Sequence, residues 1–404
     1  MGFFLYTVTM ATYDLLKAAI AFGSNSPGTP TGYGQQGKQL ITRMLRHGMK
    51  VAALSNYGLE GQQTELTFGK EKIPHYPKGL TLYSADVYPI WAADFHTKHP
   101  DYKPYLMTLY DVWVYNQMDY KGEIISWVPM DHLTITPGVR EFLTKSNVIP
   151  VTMAPHGQEI MQALGLESTY IPHGIDTNVY KPTYEIAGKN IREFMGIPED
   201  AFLVGIVAAN KANGQIHRKA YAENLLAFAM HLKSHPDSLL YIHTEPGRGY
   251  GGFDIAVLLK AMGIPRENVL MPDPFLLRAG YPEEHMAGFY TAMNVLLSTS
   301  YGEGFGIPTI EAQACGTRVI TSNYAASKDL ASEDSWKIDG QPFWDEAQGS
   351  FFQIPSVNSI VRALNEAYEA DRAKSEKAIA FAKQFDADKV WNENWVPFFK
   401  KLLK

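Results

Sequence analysis

The 404-residue chain is 46% hydrophobic, 12% aromatic and 19% charged, a globular composition too long for one ordinary domain and comfortable for two. A net charge of −6 gives no general reason to bind an anionic membrane, and stable nucleic-acid binding is not expected. The single cysteine, Cys315, excludes an internal disulfide and a cysteine-based zinc site and fits a reducing, cytoplasmic setting.

In chain order, the opening MGFFLYTVTM is apolar but lacks a basic region and is too short to span a bilayer; Met10 could equally be the start. No transmembrane span, repeat or low-complexity tract is read. LLKAAIAFG (15–23) reads as a strand. GKQLITRMLRHG reads as a helix with Leu40, Ile41, Met44 and Leu45 on one face and Gly48 as its stop. KVAALSN (50–56), KPYLMTLYDVWVYN and EIISWVPMD (123–131) read as further strands, and GQEIMQALG as a helix. After YIPHGIDTNVYKP (170–182) the pattern restarts with the strand AFLVGIVAAN (201–210) and a helix through KAYAENLLAFAMHLKSH. SLLYIHTE, NVLMPDP, NVLLSTS and TRVITSN follow as strands, with helical segments between them. Strands alternating with helices in both halves predict two doubly wound α/β domains, 1–180 and 181–375, with the linker near 177–183. Residues 376–404 end in a helix whose stripe of Trp391, Trp395, Phe398 and Leu402 is expected to pack back on the first domain.

TPTGYGQQGKQL (29–40) spaces Gly32, Gly34 and Gly37 as in a dinucleotide-binding loop. That reading fails on two counts. Eight residues separate the strand end at Gly23 from Gly32, and no acidic residue follows the next strand until Glu60. What remains is a glycine-rich loop opening a helix, where backbone amides can approach a phosphate or a sugar, or an ordinary surface loop.

SYGEGFGIPTIEAQACGTRVITSN (300–323) is more informative. A strand ends at Ser300, a glycine-rich turn follows, Pro308 sits in a first helical turn, Gly316 stops the helix and a new strand begins at Arg318. The helix N-terminus would suit a pyrophosphate. Glu303 on the turn and Glu311 on the helix are carboxylates, which accept hydrogen bonds only and so match the hydroxyls of a ribose or a hexose. Taken singly, Glu311 could be an ordinary helix acid and Glu303 a solvated loop residue.

EGFGIPTIEAQACG closely resembles the glutamate, seven residues, glutamate motif of the family-four retaining glycosyltransferases. PTGYGQQ, YIPHGID and HRKAYAENLLAF match other parts of that family in the right order. The likeness is clear over roughly 165–330 and weaker over 15–165. It implies the GT-B fold, two Rossmann-like domains facing a central cleft. It further implies a retaining hexosyltransferase that uses a nucleotide-diphosphate sugar, such as a UDP- or GDP-sugar, with no metal and no further cofactor.

By that resemblance Glu311 binds the nucleotide ribose and Glu303 lies by the donor sugar. The backbone of Gly304, Phe305, Gly306 and Ile307 lines the sugar and diphosphate, and the loop of Gly32 and Gly34 faces the donor. Lys219 holds the leaving diphosphate. Its usual arginine partner would fall at Asn210–Lys211, so Arg218 or Lys211 substitutes. Asp131 or His132, at the end of EIISWVPMDH, would lie near the donor sugar, although such a pair is more often structural. His173 in PHGID is expected to support the linker.

Asp386 with Asp388, and His96 with His99, have spacings that can serve metals but read as surface. Two rivals remain: a non-catalytic sugar-nucleotide-binding partner of an active transferase, and a phosphorylase or epimerase on the same fold. The acceptor stays open among saccharide, protein, lipid and modified nucleobase. The Trp- and Tyr-rich stretches YPIWAADFHTKHPDYKPY and LYDVWVYNQMDY read as core or interface before they read as sugar-stacking surfaces.

Overall fold

The computed structural model describes residues 15–212, 216–249 and 251–404; the apolar opening and Met10 lie outside them. The first domain is built on eight strands: β1 (Ala18–Asn25), β2 (Lys50–Tyr57), β3 (Thr64–Phe68), β4 (Glu71–Tyr76), β5 (Lys103–Leu109), β6 (Ile124–Val128), β7 (Val148–Thr152) and β8 (Thr169–Tyr170). Their order is β3-β4-β2-β1-β5-β6-β7-β8, parallel except for the β3–β4 hairpin. β1 is central: Phe22 pairs with Ala53 on one side and Met107 on the other. Both faces of β1 are covered by helices, which is why AAIAFGS is buried at every position rather than alternating.

A two-residue hairpin, β9 (Glu185–Ile186) and β10 (Lys189–Asn190), leads into the second sheet. That sheet comprises β11 (Phe202–Val207), β12 (Ser238–His243), β13 (Val269–Leu270), β14 (Val295–Ser298), β15 (Arg318–Ser322) and β16 (Trp336–Ile338). It is wholly parallel, in the order β13-β12-β11-β14-β15-β16. A second hairpin, β17 (Gly340–Asp345) with β18 (Ser350–Pro355), stands outside it. Strand order reverses direction beside β1 and β11, so the carboxyl ends of the strands flank a crevice, the usual ligand position in such sheets.

Several elements differ from the sequence expectation. The first helix runs Gly32–Arg46, so the three glycines lie in it and not in a loop. Thr31 caps it by accepting from Gly34 N at 3.1 Å. KPYLMTLYDVWVYN is a strand only to Leu109, then a 3₁₀ turn over Val112–Tyr115. The β3–β4 and β17–β18 hairpins were not expected at all.

The C-terminal helical stretch does return to the first domain. Trp395 packs edge-on against Trp127 of β6, and Lys103 Nζ donates to Leu402 O at 2.8 Å. Within it, Trp391–Trp395 widens into a π turn. Pro397 explains the widening, because it has no N–H to give the preceding turn and its ring would crowd a carbonyl there. The extra residue rotates the stripe, so Phe399 joins Trp391, Trp395 and Phe398 in the core while Leu402 stays only partly covered. Trp391 donates its indole N–H to His47 Nε2 (3.3 Å), and His47 Nδ1 donates to Arg43 O (3.1 Å). Trp391→Phe loses that bond and leaves part of the buried indole's volume unfilled, and a stability loss of roughly 2–4 kcal/mol is expected from the urea midpoint.

Candidate active site

The turn between β14 and the helix Ile307–Ala314 is tightly confined. A Cβ on Gly302 would lie 2.0 Å from Asp131 O, and one on Gly304 2.2 Å from Pro129 Cβ. Only glycine lets this turn approach the end of β6 so closely. Gly306, at φ +112°, turns the chain into the helix, with Pro308 in its first turn. Among the described residues none of the amides of Gly304, Phe305, Gly306 and Ile307 has a protein acceptor. Consecutive unsatisfied amides at a helix start make an anion site. Phe305 itself is buried between His173 and Phe385.

Glu303 is buried on this turn and ion-paired to Lys219 Nζ (2.5 Å) and to an Arg218 guanidinium nitrogen (3.0 Å). Burial alone would raise its carboxyl, but Lys219 and then Arg218 outweigh that and hold it well below the usual carboxylate range. Burial, reinforced by Arg218, lowers the Lys219 ammonium to about 8 against the pull of Glu303. The pair is therefore charged at neutral pH. Arg218 also donates to Gly302 O at 2.6 Å and approaches Asp131 Oδ2 at 3.9 Å, so it fastens the turn to both sheets. Lys211 is exposed and makes no salt bridge among the described residues, which leaves it freer than Arg218 to meet a diphosphate. Asn210, beside it, is a structural residue whose amide donates to Glu245 O, Gly247 O and Phe253 O.

Asp131 and His132 sit together just past β6, facing this turn. His132 Nδ1 lies 2.7 Å from Asp131 Oδ1, and Nε2 lies 3.2 Å from Asp345 Oδ2. Burial acts to lower the His132 imidazole, but the two carboxylates raise it overall. Asp345 on the β17–β18 hairpin carries no motif, and nothing in the sequence pointed to it. Asp111 was also missed, although its place just beyond β5 is where parallel sheets put ligand-binding residues. Its carboxylate accepts no hydrogen bond among the described residues, and burial, then the charge on Asp131, raises it.

Glu311 is half-buried one turn into its helix and accepts from Tyr290 Oη at 2.8 Å and from Tyr180. Burial raises its carboxyl to about 7. The two glycines of the first loop part company. Gly32 touches the second domain, a Cβ there lying 3.3 Å from Ile307, and the amides of Gly32 and Tyr33 have no protein acceptor among the described residues. Gly34, expected to face the donor, is instead buried with its N–H bonded to Thr31, and a Cβ there would strike Thr29 at 2.1 Å. That correction follows from the helix starting at Gly32: the third amide of a helix goes to the cap.

His173 is buried edge-on to Trp127 at 4.4 Å, and burial lowers its imidazole to about 3. It packs between Trp127 and Phe305, and its buried Nδ1 has no hydrogen-bond partner among the described residues. Asp386 caps a helix and accepts from Thr177, Asp388 pairs with Arg43, and His96 faces Tyr105 O. Among the described residues no three His, Cys, Asp or Glu are grouped to hold a metal ion. No helix there is long and apolar enough to cross a membrane. Of the aromatic stretches, Tyr88, Phe95, Tyr105 and Tyr115 are core, whereas Tyr110 and Trp113 join Tyr33 and Tyr83, from outside them, in a partly exposed series of ring contacts beside Asp111.

Residues 276–385 match the family model described as glycosyl transferases group 1. A 158-residue segment, 38% of this chain, is 32% identical to a D-inositol 3-phosphate glycosyltransferase of Corynebacterium jeikeium (strain K411) and covers 34% of it. The like-named protein of Thermobifida fusca (strain YX) is 27% identical over 38% of this chain and 33% of its own. The matched segment thus spans about a third of the length of these curated relatives. Sucrose-phosphate synthase from Thermosynechococcus elongatus superposes with a TM-score of 0.69 at 17% identity, over 95% of this chain and 99% of that one. An Anabaena protein solved in complex with UDP and glucose does so with a TM-score of 0.61 at 14% identity, over 95% and 100%. Likeness at such low identity speaks for the fold alone. Residues 276–385 are thus similar to the glycosyl transferases group 1 family, and the chain as a whole has the GT-B fold.

Proposed function

We propose that the protein is a retaining hexosyltransferase that moves a sugar from a nucleotide-diphosphate sugar to an acceptor hydroxyl without a metal ion. The observation that carries this reading is the row of unpaired amides from Gly304 to Ile307 beside the Lys219–Glu303–Arg218 cluster. Amides, ammonium and guanidinium all favour the charge that develops on a departing diphosphate. Glu303, ionised between two cations, is suited to accept from sugar hydroxyls, and Glu311 from ribose hydroxyls. Same-face attack, with the diphosphate taking the acceptor's proton, requires no carboxylate nucleophile.

The acceptor would enter from the first domain, where Asp111 and the Tyr33, Tyr110, Tyr83 and Trp113 rings offer a hydroxyl acceptor and stacking faces. Because the curated relatives are named for D-inositol 3-phosphate, a cyclitol phosphate is the first acceptor to try. The decisive test is calorimetric titration with UDP, GDP, ADP and TDP in the presence of a chelator, on the parent and on Glu311→Ala. One nucleotide binding at micromolar concentration to the parent only is the expected result. No binding, or equal binding by both proteins, would reject the reading. Donor turnover with and without candidate acceptors then separates a transferase from a silent partner and from an epimerase.

A further inference from the structure

We infer that Asp345 is a positioning residue for the transfer: from the β17–β18 hairpin it reaches across the cleft and, with Asp131, fixes the His132 ring as an imidazolium. The inference rests on the reading of this cleft as the donor-sugar site. Its basis is hydrogen-bond geometry. Nδ1 faces a carboxylate oxygen at 2.7 Å and Nε2 another at 3.2 Å. A neutral imidazole has one N–H and one acceptor nitrogen, so it would turn a lone pair against one of the carboxylates. Only the cation donates to both.

The ring has no freedom to turn away. Phe352 stacks on it at 3.8 Å between centroids. His156 Nε2 holds the His132 carbonyl at 2.7 Å. The hairpin is pinned to the same segment: Leu133 N donates to Phe351 O at 2.9 Å, Thr134 and Ser350 hydroxyls meet at 2.8 Å, and Tyr324 donates to Phe351 O. The other charged groups facing the clamp are Asp111 beyond β5, Arg218 with its Nε near Asp131, and Glu303 on the turn. Asp345 has a second task. Its Oδ1 accepts from Ala347 N at 3.0 Å and shapes the hairpin turn, leaving Oδ2 for His132.

Asp345→Asn separates the two tasks. The side-chain oxygen still serves Ala347, but an NH₂ now faces Nε2 and favours the neutral ring. Nitrogen-15 NMR of the histidines in the full chain, with the His132 signal assigned by its loss in His132→Gln, reads the ring directly. In the parent both ring nitrogens are expected to stay protonated through neutral pH. In Asp345→Asn the titration midpoint moves down, kcat for release of UDP from a UDP-sugar falls about tenfold, and UDP affinity is unchanged. A parent His132 that titrates in the ordinary histidine range overturns the inference even if the variant does not fold. So does a midpoint shared by both proteins. If the rings behave as described but no nucleotide sugar is turned over, the carboxylate clamp stands and the transferase reading fails.

Discussion

Lys219→Ala is expected to lower the transfer rate about 10²–10³-fold while the donor KM changes little, as when one preorganised donor to a developing oxyanion is removed. The fold should survive, because Glu303 keeps its bond to Arg218. Arg218 can make good only part of the loss, since its guanidinium also holds Gly302 O and Glu303. The parent's kcat/KM carries a matching pH dependence. In the proposed mechanism the Lys219 ammonium is the working form, and burial with Arg218 lowers it to about 8. Activity from this group is therefore complete well below about 8 and lost as the pH rises through it. Initial rates of nucleotide release, across neutral to alkaline pH, check both statements. A variant with parental kcat would remove Lys219 from the chemistry.

Glu311→Gln is expected to strengthen the empty protein at alkaline pH while abolishing nucleotide binding. Burial raises the carboxyl from 4.5 to about 7, so the fold prefers it protonated. The linkage sign follows: the folded state holds this proton more tightly than the unfolded chain does. Its stabilising effect is full below about 4.5 and is lost as the pH rises through about 7. Above that, the parent carries a desolvated carboxylate eased by Tyr290 and Tyr180. Glutamine has no such cost, and a gain of roughly 1–3 kcal/mol is expected at pH 8, shrinking towards zero in acid. Thermal unfolding of both proteins at two pH values measures it. Equal pH dependence in the two proteins would show that Glu311 is solvated. On the proposed reading the ligand's hydroxyls would supply the missing donors and offset that cost.

The second half was the more legible one, for reasons visible at single residues. Gly306, Pro308 and Gly316 punctuate the segment from β14 to β15 with conformations that few other residues fit. The first helix was misplaced because Gly32, Gly34 and Gly37 are poor helix formers read in isolation. Tertiary contact overrides that: a Cβ on Gly37 would come within 3.0 Å of Phe22, so the helix needs bare backbone to lie on β1. Asp345 left no local trace at all. Its partner, His132, is 213 residues away, and the short strand that carries Asp345 is exposed or half-buried at all its other positions.

The return of the terminal helix also bears on how the chain reaches its fold. Trp391 and His47, 344 residues apart, belong to one core, and Trp395 completes the packing of Trp127. During synthesis the first sheet is complete at Tyr170 but stays uncapped until the ribosome has made almost all of the 404-residue chain. Its apolar surface under the missing helix is exposed for that interval, and closing so long a loop is slow. The two domains are therefore consecutive in sequence without being independent as folding units.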